Sequence, residues 1–200
     1  MDNHKINRNY KKEDNKTNNH RKRVAIISVH SDPSVKLGGH ETGGQNVYVS
    51  ELSKALGRLG WSVDIFTRLT RKRTKMVKNY GKNVNIVYIK AGPRYFVPKD
   101  KLLKKLPEFV GNFLTYREKN KINYKIIHGN YYLGGWAAAH IKRILHIPMV
   151  ETFHSLGHIR YRALEKFEKK DINIENFEER LRAEKEIMDA TDKIIEIGRA

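Results

Sequence analysis

A glycine-rich loop at residues 38–44 reads GGHETGG and is followed at once by an amphipathic helical pattern. Gly43 and Gly44 stand where the chain enters that helix, and Gln45 follows with a side-chain amide. Free backbone N–H groups at a helix start bind anions and hydroxyl oxygens, so the loop suits a phosphate or a sugar hydroxyl. A turn that needs glycine only to reverse the chain explains the same spacing equally well. The spacing alone leaves both interpretations open.

Several other kinds of site are not expected. The loop has neither the Gly-Lys-Ser/Thr of a P-loop nor the Gly-x-Gly-x-x-Gly spacing of dinucleotide-binding domains. The chain has no cysteine, which removes disulfides, thiolate zinc sites and cysteine nucleophiles. His154 and His158 have the spacing H-x3-H, but no third ligand or metalloprotease glutamate accompanies them. We therefore expect no metal and no cofactor.

Single histidines and basic residues are weak signals by themselves. His128 and His154 stand at the ends of apolar runs, where a histidine is usually a capping or core residue. Lys99, Arg160 and Arg180 belong to a set of 40 Lys and Arg residues, so each one alone fits a solvated surface.

The elements that position these residues follow from periodicity. Apolar runs of strand length alternate with helical patterns, which predicts a doubly wound α/β domain with a mostly parallel sheet of about six strands. The basic stretch 68–82 is predicted to be a solvated excursion between two strands. The predicted strands are 23–29, 62–68, 83–90, 124–129, 147–154 and 192–197, and the predicted helices are 45–59, 99–119, 133–145 and 174–190.

Composition limits the cellular setting and the partners. Residues 1–22 are polar and basic and are predicted to form a disordered tail. No window approaches 18 consecutive apolar residues and no secretory signal is visible, so we expect a cytoplasmic protein with no membrane partner. The net charge of +18 raises the hypothesis of nucleic-acid binding, but no recognised nucleic-acid-binding motif accompanies it, and we expect no such partner.

Four collinear segments resemble one known family. They are GGHETGGQNVYVSELSKALGRLGWSVDIFTR, YFVPKDKL, IIHGNYYLGGWAA and IPMVETFHSLGHIRYRAL, and they are similar to the N-terminal domain of family 4 glycosyltransferases, which have the GT-B fold. Within that family the sucrose-phosphate synthases are the most similar. The resemblance covers roughly residues 23–195, and four motifs in order are more specific than any one of them.

The resemblance implies roles for residues at matching positions. Gly43, Gly44 and Gln45 would lie against an acceptor sugar. Lys99, Arg160 and Arg180 would bind the acceptor phosphate, with Arg160 standing where the family usually has lysine. His154 matches a histidine beside the reacting sugars and is better described as a positioning and hydrogen-bonding group than as a base. The reaction so implied is a retaining transfer of glucose from a nucleotide-sugar such as UDP-glucose to a sugar phosphate such as fructose 6-phosphate.

The chain departs from the family pattern at two places. Asn130 precedes Tyr131 where the family commonly has histidine, and the sequence stops after IIEIGRA, before the family's second, nucleotide-sugar-binding domain. We therefore expect residues 23–200 to form the family's N-terminal domain without the donor domain and to be inactive alone. The alternatives are a stand-alone sugar-phosphate binding module, half of a two-chain enzyme, or a basic nucleic-acid binder built on an α/β scaffold.

Overall fold

The computed structural model describes residues 22–35, 38, 43–71, 75–166 and 174–197. Side chains are described for these residues except 160, 163–166 and 174–176. The predicted disordered tail therefore lies outside the described residues, apart from Lys22.

The described residues form a seven-stranded sheet in the order β3-β4-β2-β1-β5-β6-β7. All neighbouring strands are parallel except the antiparallel pair β3 and β4. The predicted doubly wound, mostly parallel fold is confirmed. The strands are β1 (Arg23–Ile27), β2 (Ser62–Arg68), β3 (Val77–Gly81), β4 (Val84–Ile89), β5 (Ile126–Asn130), β6 (Met149–Thr152) and β7 (Lys193–Ile194).

Strand β3 lies inside the basic stretch 68–82, so the prediction of a solvated excursion there missed a strand. Its residues are exposed or half-exposed, because it is an edge strand paired only with β4. Asn83 adopts a φ of 62° in the turn between the two strands, which asparagine tolerates better than most residues. A polar edge strand lacks the alternation of apolar residues by which a strand is predicted from sequence. Its lysines also discourage pairing with other chains.

Helices cover both faces of the sheet. Successive residues of a strand point to opposite faces, so they pack in two separate hydrophobic cores. Val24 and Ile26 of β1 pack in one core with Val49 of the first helix, whereas Ala25 and Ile27 pack in the other with residues of three later helices. The helices are α1 (Gly44–Arg58), α2 (Leu106–Lys119), α3 (Tyr131–Leu145), α4 (Gly157–Lys166) and α5 (Ile174–Ala190), and short 3₁₀ turns at Lys99–Lys101 and Leu103–Lys105 precede α2.

The connectivity creates a crevice between β1 and β5. These strands are neighbours in the sheet, but the chain leaves β1 toward β2 and enters β5 only after β4. The loops that follow β1 and β5 therefore diverge in opposite directions. Ligands of open α/β sheets bind at such a reversal, beyond the carboxyl ends of the strands.

Candidate functional site

The first helix enters this crevice through a polar anchor that the sequence analysis did not identify. Asn46 is buried, and its Oδ1 accepts hydrogen bonds from the Gly43 backbone N–H at 3.0 Å and the Ser31 hydroxyl at 2.7 Å. Its Nδ2 donates to the Asp32 carbonyl at 2.9 Å. Asn46 thus ties the loop after β1 to the start of α1, and its position three residues after Gly43 was an available capping signal.

Gly43 does not need glycine for its backbone conformation. Its φ of −167° is extended backbone open to any residue. Among the described residues, no heavy atom lies within 4 Å of a Cβ built at Gly43 or Gly44. Gly38, by contrast, has a φ of 99°, which favours glycine, so both interpretations of the loop stay open. Gln45 is anchored nearby, because its Nε2 donates to the Ser28 hydroxyl at 3.2 Å.

One histidine lies within β5, and a second lies just beyond the carboxyl end of β6. His128 is buried, as expected of a core histidine, and its Nε2 lies 2.9 Å from the Thr152 hydroxyl. His154 is half-buried, and its Nε2 lies 2.9 Å from Asn130 Oδ1. Burial lowers the pKa of each imidazole to about 4, and the neighbouring His154 adds to the shift at His128. Both side chains are therefore uncharged at neutral pH.

A third histidine, His30, was missed by the sequence analysis. Its ring lies 4.9 Å from the ring of Tyr131, and its buried Nδ1 has no hydrogen-bond partner in the described part of the chain. Burial lowers its pKa to about 3, with smaller contributions from Lys99 and His154. His30 follows β1 in SVHSDP, so the strand-end argument applied to His154 was available for it as well.

Two of the predicted cations converge on Tyr131. Lys99 Nζ lies 5.9 Å from the centroid of its ring, and the Arg180 guanidinium carbon lies 5.1 Å from the same centroid. Arg180 Nη1 also donates to the Tyr131 hydroxyl at 3.2 Å. The two residues are 81 positions apart in the sequence, and the tyrosine at the start of α3 brings them together.

Arg180 is held by several hydrogen bonds. It is buried, and its Nε donates to Glu184 at 2.7 Å while Nη2 donates to the carbonyl and hydroxyl of Ser155 at 2.8 and 3.3 Å. A guanidinium has five N–H groups. Within the described part of the chain, the bond to Tyr131 uses one N–H of Nη1, and the other has no partner there. Lys99 is only half-buried and has a flexible ammonium group.

The remaining predicted site residues are Arg160 and the loop residues Gly43–Gln45. The backbone of Arg160 lies in α4, but its side chain is outside the described residues, so its role stays a prediction. The loop residues Gly43–Gln45 connect to the histidines through Tyr48, one turn further along α1, whose ring lies 5.1 Å from that of His154. The site therefore combines the start of α1, neutral imidazoles and two cations.

One buried acid lies behind the site. Glu151 of β6 is fully buried, and neither of its carboxylate oxygens has a hydrogen-bond partner in the described structure. Burial raises its pKa well above the usual range, and the charge of Glu184 raises it further. Glu151 is therefore held as the neutral acid, because an unpaired buried carboxylate is very costly.

The described residues offer neither a grouped set of metal ligands nor a membrane-spanning helix. No three His, Asp or Glu side chains among them are grouped so as to hold a metal ion. No helix in the same part of the chain combines the length and apolar character needed to cross a membrane.

Comparison with known proteins gives consistent matches over most of the chain. A family model described as Glycosyltransferase Family 4 matches residues 42–195. The mannosylfructose-phosphate synthase of Agrobacterium fabrum is 37% identical over 179 residues, which cover 86% of this chain and 39% of that enzyme. The D-inositol 3-phosphate glycosyltransferase of Corynebacterium kroppenstedtii is 31% identical over 175 residues, covering 88% and 38%.

A solved structure shows the same likeness in three dimensions. Sucrose-phosphate synthase from Thermosynechococcus elongatus matches with a TM-score of 0.77 and 36% identity, over 87% of this chain and 42% of that one. The chain therefore spans about two fifths of the length of the relatives that it matches.

Proposed function

Because this chain belongs to glycosyltransferase family 4, we propose that it carries the acceptor site of a retaining transferase that moves glucose from a nucleotide-sugar to a sugar phosphate. Fructose 6-phosphate is the proposed acceptor and UDP-glucose the proposed donor. The names of three similar enzymes all contain a phosphorylated compound: inositol 3-phosphate, mannosylfructose phosphate and sucrose phosphate.

The observation that carries the proposal is the pair of cations at Tyr131. A phosphate placed between Lys99 and Arg180 would accept charge-assisted hydrogen bonds from an ammonium and from the free N–H of a guanidinium. The Tyr131 hydroxyl, which already accepts a bond from Arg180, would lie beside it. Such bonds are worth roughly 1.5–3 kcal/mol each before ordering costs.

The sugar part of the acceptor would lie against the neutral part of the site. Hydroxyl groups both donate and accept hydrogen bonds, which matches uncharged His154, the amide of Gln45 and the open helix start at Gly43 and Gly44. The dipole of α1 adds a positive potential at that end of the crevice. A charged histidine there would instead favour a second anion.

Binding of the acceptor is the first test. Titration of the 200-residue chain with fructose 6-phosphate, followed by NMR, should give a Kd around millimolar, and fructose should bind more weakly. Lys99→Ala should weaken fructose 6-phosphate on the order of tenfold, because one charge-assisted contact is lost. Lys101→Ala is the matched control, since Lys101 lies in the same 3₁₀ turn and is exposed.

Two results would contradict the proposed acceptor site. In one, fructose and fructose 6-phosphate perturb the same resonances equally, which would leave the basic residues as ordinary surface. In the other, a short DNA duplex binds far more tightly than the sugar phosphate at physiological salt, which would favour the nucleic-acid hypothesis raised by the charge of +18.

Transfer requires two substrates held in register. The described crevice supplies groups suited to an acceptor, and the chain spans only about two fifths of its relatives. We therefore expect residues 1–200, incubated with UDP-glucose and fructose 6-phosphate, to form no sucrose 6-phosphate above background. A clear product signal would show that these residues hold both substrates.

A further inference from the structure

The hydrogen-bond partners of Asn130 assign an orientation to its side-chain amide. Asn130 is the last residue of β5 and is fully buried. Its Nδ2 donates to the backbone carbonyl of His128 at 3.4 Å, and its Oδ1 faces Nε2 of His154 at 2.9 Å. A carbonyl oxygen accepts hydrogen bonds only. The amide cannot be turned over without placing its N–H₂ group against His154 and its oxygen against the carbonyl of His128.

This orientation decides which nitrogen of His154 carries the proton. Because Oδ1 of Asn130 has no hydrogen to give, Nε2 of His154 must be the donor in the bond between them. Burial lowers the pKa of His154 to about 4, so the ring carries a single proton at neutral pH. The other nitrogen, Nδ1, is then an unprotonated acceptor.

The ring of His154 packs against the ring of Tyr48. The two ring centroids lie 5.1 Å apart, and the ring planes are nearly perpendicular. The His154 ring is partly exposed, and within the described part of the chain its only hydrogen-bond partner is Asn130. Nδ1 is therefore the nitrogen that can accept a hydrogen bond from a ligand.

We propose that Asn130 is a positioning residue that holds His154 as its Nε2–H tautomer, so that Nδ1 accepts a hydrogen bond from a hydroxyl group of the bound sugar. The identity of the ligand rests on the proposed function, whereas the tautomer does not. A lone pair at Nδ1 favours a hydroxyl, which has a proton to donate, and repels the oxygens of a phosphate dianion. Asn130 thereby helps to orient the acceptor, with its phosphate at Lys99 and a hydroxyl at His154.

The tautomer is measured directly by the ¹⁵N chemical shifts of the histidine side chains, recorded with long-range ¹H–¹⁵N correlation on the labelled chain. We expect His154 to show a protonated Nε2 and an unprotonated Nδ1 at neutral pH. In Asn130→Ala the acceptor is gone, and we expect a mixture of tautomers. In Asn130→Asp we expect the Nε2–H form to be retained and the pKa of His154 to rise, because a carboxylate still accepts the bond and adds a negative charge.

Thr152→Val is the matched control, since the Thr152 hydroxyl contacts His128 and the Tyr48 hydroxyl but neither nitrogen of His154. It should alter the His128 resonances and leave the tautomer of His154 unchanged, because Asn130 still accepts the bond from Nε2. A wild-type His154 that is predominantly Nδ1–H would overturn the proposal, even if Asn130→Ala does not fold. So would an unchanged tautomer in a folded Asn130→Ala.

The ligand part has its own readout. Fructose 6-phosphate should shift the Nδ1 resonance of His154, and inorganic phosphate should not. If the tautomer is as proposed and the sugar phosphate does not bind, the proposed function fails and the positioning role stands. If the sugar phosphate binds to a chain in which His154 is Nδ1–H, the positioning role fails and the proposed function stands.

Discussion

Arg180 and Lys99 approach the same tyrosine ring, but they differ in what their removal would leave behind. Arg180 is buried and paired with Glu184, which is also buried and whose two oxygens accept hydrogen bonds from the Gly157 backbone N–H. Lys99 is half-exposed. Removing a lysine at a partly exposed position removes a charge, whereas removing one member of a buried pair strands the other. Arg180 therefore has a structural role as well as its proposed phosphate contact.

We predict that Arg180→Ala destabilises the fold by about 3 kcal/mol or more, because Glu184 becomes an uncompensated buried charge. Arg182→Ala, an exposed neighbour on the same helix, should change the free energy of unfolding by less than about 0.5 kcal/mol. Urea denaturation of the purified variants measures both. Adding Glu184→Gln to Arg180→Ala should recover part of the loss, since it removes the stranded charge. Equal stability of Arg180→Ala and Arg182→Ala would show that the ion pair does not hold α5 in place.

At the scale of elements, the contact between α3 and the sheet encloses the side chain of Glu151 from β6. The carboxyl group of Glu151 lies against Gly129 of β5 and Gly135 of α3, and a Cβ at Gly135 would come within 2.7 Å of that carboxyl. Glycine at these two positions thus makes the room that the acid occupies. The same helix presents Tyr131 to the site, so the fit of Glu151 influences where the cations meet.

Gly135→Ala and Gly111→Ala form a matched pair, because both change a glycine inside a helix. No heavy atom lies within 4 Å of a Cβ at Gly111, and alanine there should stabilise α2 by roughly 0.5–1 kcal/mol. Gly135→Ala should instead destabilise the fold by roughly 1–3 kcal/mol, since the new methyl group overlaps Glu151. Denaturation curves of both variants, and of Gly135→Ala combined with Glu151→Ala, would measure the coupling. A loss in the combined variant as large as in the single one would rule out Glu151 as the cause.

At the scale of the whole molecule, the buried ionisable groups oppose each other in their effect on stability. His30, His128 and His154 have native pKa values of about 3, 4 and 4 against an ordinary 6.5. The unfolded chain therefore binds more protons than the native one between pH 6.5 and about 4, and stability is lost as the pH falls through that window. Burial raises the pKa of Glu151 above its ordinary 4.5, so its effect is a loss of stability as the pH rises above that value.

We predict that the free energy of unfolding is greatest near neutral pH and falls more steeply on the acid side. Each neutral imidazole contributes a slope of up to about 1.4 kcal/mol per pH unit, and three imidazoles outweigh one carboxyl. His30→Phe should reduce the acid slope, and Glu151→Gln should remove the loss of stability that Glu151 causes as the pH rises above 4.5. Urea denaturation at a series of pH values from acid to alkaline tests this. His30→Phe serves as the control for the effect of Glu151→Gln at high pH, and Glu151→Gln serves as the control for the effect of His30→Phe at low pH. A wild-type profile that is flat from neutral to mildly acid pH would mean that the histidines are not held neutral by burial.

Much of the fold was predictable because its signals are local. Each of the six apolar runs predicted as strands overlaps an observed strand, and the helix predicted over 174–190 has the observed bounds of α5. Strand β3 was missed because an exposed edge strand has no apolar run. Helix α4 was missed, and residues 99–105 of a predicted helix instead form 3₁₀ turns. The family was identified from collinear motifs, and Asn46 and His30 had sequence signals that were not used.

The sequence by itself determined the class of fold, the family and the basic residues eligible to bind phosphate, because these depend on periodicity and on motifs within short segments. Only the tertiary structure decided that Lys99 and Arg180 meet at Tyr131, that Arg180 is already paired with Glu184, and that His154 lies against Asn130. It also decided that Glu151 is buried between two glycines. These features join residues from different strands and helices. They depend on side-chain packing and desolvation, which no spacing along a single segment records.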